Sequence, residues 1–77
     1  MEDNFMLSWI EFINADTNLE FFRKAFPQQT TAIERIREIR RECLEKLRDL
    51  IDKLGDEKCR DLIGGVQYAE LQRRMKE

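Results

Sequence analysis

The sequence contains no histidine and only two cysteines, one proline, three glycines and one serine among 77 residues. Without histidine, the chain lacks the commonest general base and the commonest metal ligand of proteins. The shortage of proline and glycine leaves few positions for β-turns, which argues against an all-β fold. Cys43 and Cys59 are sixteen residues apart and form no CxxC pair, so we expect no zinc site.

A long apolar run is also missing. The most apolar stretch, residues 5–13, is interrupted by Ser8 and Glu11 and is preceded by acidic residues. A membrane helix needs about 20 apolar residues, and a signal peptide begins with basic residues. We therefore expect a cytoplasmic protein that does not bind membranes. The cytoplasm keeps cysteines reduced.

Charged residues make up 39% of the chain and hydrophobic residues 42%. This composition excludes a disordered tail as well as a membrane protein. The net charge of −2 excludes a strongly basic nucleic-acid binder. The charge is unevenly distributed, because residues 1–22 carry five acids and no base, whereas residues 23–53 carry nine bases and six acids.

Two short helices are predicted in the acidic, aromatic segment of residues 1–27. The first covers residues 3–14, where apolar residues recur at spacings of three and four. The second covers residues 18–26, begins with a capping box of Thr17 and Glu20, and ends before Pro27. The apolar stripe of the first helix comprises Phe5, Met6, Trp9, Ile10, Phe12 and Ile13, with Leu7 outside it.

A helical hairpin is predicted over residues 31–77. Its first arm, residues 31–54, begins with a second capping box formed by Thr31 and Glu34. We expect Gly55 to end this arm in the left-handed conformation. Because the connection is short, the next helix should pack antiparallel to the first arm.

The helix that follows, residues 56–75 with Asp56 as N-cap, has an irregular apolar pattern. One group of apolar residues shares a face up to Ala69, whereas Tyr68, Leu71 and Met75 fall nearly opposite. Either the helix breaks at Gly64-Gly65 and restarts in a new phase, or its last part is apolar on two sides. We predict the break, because glycine costs about 1 kcal/mol inside a helix.

The predicted fold is therefore all-α: a small bundle built on the hairpin, with the two N-terminal helices packed on it, in a single domain of residues 1–77. Cys43 and Cys59 should lie about 12 Å apart on the hairpin, too far for a disulfide, as reduced core thiols. A chain this short buries only about 60% of its unfolded surface. Formation of a homodimer would compensate for this limited burial.

No catalytic constellation is present, so we do not expect an enzyme or a cofactor. Carboxylates are plentiful, but they lie on faces of alternating charge, and Gly64-Gly65 lacks the remaining residues of a phosphate-binding loop. Arginines crowd the long helix, but Glu34, Glu38, Glu42 and Glu45 are interleaved with them. Alternating signs weaken the attraction for phosphates, so nucleic-acid binding is not the favoured interpretation.

Two features leave alternatives open. Arg40 occupies an apolar position of the long helix, where it either lies at the edge of the stripe and shields Ile36 or sets a partner's register. We favour the edge position. Six of the seven aromatic residues lie within residues 1–26. These aromatic side chains either fill the core of a small bundle or belong to an amphipathic helix that inserts into a groove on a partner.

The expected function is a non-enzymatic protein–protein interaction module, a small regulator, adaptor or inhibitor that binds a larger protein or complex. The alternative is a nucleic-acid-binding or self-assembling structural subunit that uses the arginine-rich face of the long helix. The candidate partner contacts are aromatic residues of the first helix, arginines of the long helix and the off-phase face of the last helix: Phe5, Trp9, Phe12, Arg37, Arg40, Arg41, Tyr68, Leu71 and Met75.

Overall fold

The computed structural model describes residues 1–76, and these residues form an all-α structure, as predicted. No strand occurs in this part of the chain. The helices are α1 (Glu2–Ala25), α2 (Thr30–Leu54), α3 (Asp56–Ile63) and α4 (Gly65–Met75).

Helix α1 is continuous, so the prediction of two short N-terminal helices is wrong. Thr17 and Glu20 lie inside the helix and do not cap it. Of the three residues between the two predicted helices, Asp16 and Thr17 are weak helix formers, but Ala15 is a strong one and none is glycine or proline. Ala15 and Leu19 continue the buried face of α1 through this region. Packing of that face stabilises the helix beyond what local propensity predicts.

The most extensive helix–helix contact is between α1 and α2, which are connected by residues 26–29. Contacts advance in opposite directions along the two helices: Ser8 shares a cleft with Asp49, whereas Asp16 bonds to Arg40. Helix α2 begins at Thr30, and Gln29 at its N-cap makes no side-chain capping bond. The predicted capping box of Thr31 and Glu34 is therefore not formed.

Two single glycines connect the last three helices. The φ and ψ angles are 93° and 152° at Gly55, and 88° and 152° at Gly64. Gly55 therefore ends α2 as predicted, but its ψ differs from the left-handed helical value; this region of positive φ is accessible essentially to glycine alone. Each glycine is also the N-cap of the next helix, so Asp56 is the first residue of α3 and not its N-cap.

The predicted break at Gly64 is confirmed. The backbone N–H of Gly64 donates to the carbonyl of Arg60 at 2.7 Å, and the N–H of Tyr68 donates to the carbonyl of Gly64 at 2.9 Å. Gly64 is therefore both the C-cap of α3 and the N-cap of α4. The change of direction brings the off-phase apolar residues of α4 into the same core as Cys59.

Every helix contributes to one core. The largest fully buried side chains are Phe5 and Phe12 of α1, Leu47 of α2, Cys59 of α3 and Leu71 of α4. The described residues span 41 × 20 × 20 Å, with a radius of gyration of 13.3 Å. A compact chain of this length would have a radius of gyration of roughly 11.5 Å. The molecule is therefore elongated, and a large share of its helical surface faces outward.

The adjacent glycines provide a matched test of the break. Gly64→Ala should destabilise the protein by about 1–3 kcal/mol, because alanine is strained at this positive φ. Gly65→Ala lies in the first turn of α4, where nothing is within 4 Å of an added Cβ. It should stabilise by about 0.4–1 kcal/mol, because alanine lowers the entropy of the unfolded chain. Urea denaturation measures both, and equal effects would contradict the assigned backbone geometry.

Candidate interaction surfaces

The three aromatic residues predicted to contact a partner are buried in the core. Phe5, Trp9 and Phe12 lie on the inner face of α1, and each is at least nine-tenths buried. The rings of Trp9 and Phe12 stack, with centroids 5.8 Å apart. These side chains fill the core, which is the first of the two alternatives given above for the aromatic residues. In this fold each of the three exposes less than a tenth of its surface.

The off-phase residues of α4 are also directed into the core. Tyr68 and Leu71 are buried, and Met75 is half-buried at the edge. The hydroxyl of Tyr68 donates a hydrogen bond to the carboxylate of Asp56. Because Asp56 begins α3 and Tyr68 lies in α4, this bond connects the two helices across the Gly64 break.

A groove of about 410 Å³ brings together four of the nine predicted contact residues: Arg37, Arg40, Arg41 and Met75. We name it the arginine groove. Its lining also includes Arg48, Arg74, Leu44 and Glu45. Arg48 donates to the backbone carbonyl of Met75 at 2.6 Å, which fixes the end of α4 against α2.

Arg40 is held by groups inside the molecule. Its Nε donates to Oδ1 of Asp16 at 2.8 Å, and its guanidinium lies over the Phe12 ring, 5.2 Å from the centroid. Its side chain is only 18% exposed. Arg40 therefore lies at the edge of the buried stripe, as favoured above, but its charged group reaches α1. Asp16 also pairs with Nη1 of Arg74 at 3.5 Å, so one carboxylate joins three helices.

Acidic residues partly balance the arginine groove. Glu45 belongs to its lining, and Glu38 lies 3.9 Å from Arg41. Glu70 pairs with Arg73 and Arg74, and the hydrogen bond from Arg74 is the main cause that lowers the pKa of the Glu70 carboxyl. The exposed arginines of the groove are Arg37, Arg41 and Arg48, and Arg48 donates only to the uncharged backbone carbonyl of Met75.

Sequence reasoning missed the outer face of α1. Met6, Ile10 and Ile13 were predicted in the buried stripe, together with the core aromatics, but all three are exposed. Helix α1 carries apolar residues on opposite sides, and only one side faces the other helices. The exposed side also includes Leu7 and Phe21. The nearly equal apolar character of the two sides was the available signal.

Cys43 and Cys59 are buried and free, and burial raises the pKa of both thiols. Thiols of raised pKa remain protonated at neutral pH and react slowly. Within residues 1–76, no group of three or more metal-ligating side chains is close enough to hold an ion. The same residues include no helix long and apolar enough to span a bilayer.

No protein-family model matches this chain, and neither a curated protein nor a solved structure does.

The single tyrosine allows a direct test of the contact between α3 and α4. Burial, and then the hydrogen bond to Asp56, raise the pKa of Tyr68 from 10.0 to about 12. Because the folded pKa is the higher one, this contribution to stability is complete below pH 10 and is lost as the pH rises toward 12. Phenolate absorbance should titrate near pH 12 in the folded protein and near pH 10 in denaturant. A folded-state midpoint near 10 would contradict the buried contact.

Proposed function

We propose that the protein is a non-enzymatic interaction module that binds an acidic segment of a larger protein in the arginine groove. In this role it acts as a small regulator, adaptor or inhibitor in the cytoplasm. The observation that carries the proposal is the convergence of five arginines on one groove in a chain whose net charge is −2. Local charge opposite to the net charge favours a partner surface of complementary sign.

The chemistry of the groove suits carboxylates. A guanidinium group presents its N–H donors in a planar fork that matches a carboxylate, and such pairs form short, charge-assisted hydrogen bonds. Arg41 has a side chain that is 69% exposed and only a 3.9 Å contact with Glu38. It therefore can turn to a partner without breaking a close internal bond.

The apolar part of the groove supports a peptide ligand. Leu44 and Met75 lie among the arginines, and methionine adapts to varied apolar surfaces because it is unbranched and polarisable. An acidic segment that also carries an apolar side chain would satisfy both kinds of lining. We also propose that the last two helices run back along α2, as in the predicted hairpin. The bond between Arg48 and Met75 supports this arrangement.

Nucleic acid is the alternative ligand, because arginine forks also bind phosphate. Glu38, Glu45 and Glu70 lie among the arginines of this surface, and their negative charges would repel the phosphates of a nucleic acid. A protein segment can place its acidic residues only where arginines lie. For this reason we favour an acidic peptide.

The test is a pull-down from native extract with the tagged chain and two charge-reversal variants. Arg41→Glu reverses a charge in the arginine groove. Arg35→Glu is a matched control, because Arg35 lies on the same helix, is 68% exposed and contacts Glu38 at 3.7 Å, but does not line the groove. We expect Arg41→Glu to reduce partner recovery by at least about tenfold, which corresponds to 1.4 kcal/mol. Arg35→Glu should retain the partner.

Nuclease treatment and salt separate the two ligands. A protein that is retained after nuclease and lost with Arg41→Glu supports the proposal. Recovery that disappears with nuclease, with an affinity that falls steeply with salt, would replace it with nucleic-acid binding. Equal losses with both variants would show that general charge, and not the groove, attracts the partner.

A further inference from the structure

The outer face of α1 carries an apolar stripe that no other helix of the described chain covers. We name it the outer stripe; its members are Met6, Leu7, Ile10, Ile13 and Phe21. Leu7, Ile10 and Phe21 lie on the side of α1 opposite to Phe5 and Phe12, whereas Met6 and Ile13 lie at its flank, nearer to Trp9, because a helix advances about 100° per residue. The stripe is on a different surface from the arginine groove.

The exposed area of the outer stripe approaches the area that an interface between two copies requires. Its side chains are between 37% and 58% exposed. With about 190 Å² for a fully exposed large apolar residue, the stripe exposes on the order of 450 Å². The largest apolar patch on a typical monomer is about 300–600 Å² and is often functional. Two such stripes in contact would bury about 900 Å² before flanking polar groups are added, close to the ~1,000 Å² that a specific interface needs.

The order of residues along the stripe is self-complementary. Asp3, Met6, Ile10, Ile13, Thr17, Phe21 and Lys24 follow one another at spacings of three and four along one side of α1. The midpoint of this series lies at Ile13 and Asn14. If a second α1 packs antiparallel about that midpoint, Met6 meets Phe21 of the other copy, and Ile10 meets Thr17. Met6 then faces an apolar residue and Ile10 faces the methyl group of Thr17, whereas the same pairing places Ile13 beside Asn14 and Leu7 beside Glu20.

Charge favours the same arrangement. Helix α1 has acidic residues in its first turn and basic residues in its last turn. An antiparallel pair places Asp3 of one copy beside Lys24 of the other at both ends, whereas a parallel pair would place like charges together. The helix dipoles are also aligned favourably only in the antiparallel pair. A two-fold axis makes both ends equivalent, as in most homodimers.

We propose that the outer stripe is the interface of an antiparallel homodimer, in which the α1 helices of two copies cross near Ile13. This inference goes beyond the proposed function and depends on different residues. The arginine groove lies on the α2 and α4 side of the molecule. Each dimer therefore presents two grooves to partner segments.

The first test measures self-association by sedimentation equilibrium from micromolar to submillimolar concentration. Ile10→Glu places a charge in the stripe and should weaken the dimer by at least about 100-fold, because burial of an unpaired carboxylate is unfavourable. Val66→Glu is the control: Val66 is 85% exposed and lies on α4, outside the stripe. It should associate as the unchanged chain does. Circular dichroism should show equal helix content in both variants.

The second test measures orientation by disulfide cross-linking under mild oxidation. The native thiols are buried, so an exposed introduced cysteine reacts selectively. Ile13→Cys should cross-link to itself at the two-fold axis. Met6→Cys should cross-link with Phe21→Cys in a mixture of the two variants, but not with itself.

Each outcome decides the proposal. Concentration-dependent dimers that are lost with Ile10→Glu, with the antiparallel cross-links, support it. A monomer at all concentrations, or a dimer unaffected by Ile10→Glu, overturns it. Self-cross-linking of Met6→Cys would assign a parallel pair and would also overturn it. None of these results depends on Arg41, so the dimer and the arginine groove succeed or fail separately.

Discussion

Burial of the inner aromatic row of α1 is the interaction on which the rest of the structure depends. Phe5, Trp9 and Phe12 are large side chains that can each remove about 150–250 Å² from water, and they meet side chains of all three other helices in one core. A chain of 77 residues has few other means of stabilisation. Because these rings are committed to the interior, the surface of the molecule is left to other side chains, among them exposed arginines of α2 and apolar residues on the outer side of α1.

The Gly64 break explains the irregular apolar pattern near the C-terminal end. In a straight helix, Tyr68 and Leu71 would face away from Cys59. The positive φ at Gly64 changes the direction of the chain, so all three become buried in one core. The bond from Tyr68 to Asp56 then connects the helices on either side of the break. The two apolar faces that a straight helix would present on opposite sides therefore pack into the same core.

Features set by local chemistry could be predicted from the sequence. The all-α class, the end of α2 at Gly55 and the break at Gly64 follow from periodicity and from the backbone preferences of glycine. Features set by distant contacts could not. The continuity of α1 depends on packing across its whole length. The choice between its two apolar sides depends on where the other helices lie. The role of Arg40 depends on Asp16, which is 24 residues earlier in the chain, and spacing along α2 contains no information about it.

The connections between helices determine where the chain can accept additional residues. Gly55 and Gly64 each end one helix and begin the next, so an insertion at either point would shift a whole helix relative to the core. Among the connections between the described helices, only residues 26–29, between α1 and α2, include several exposed residues outside a helix. An internally inserted label should therefore be tolerated best at residues 26–29.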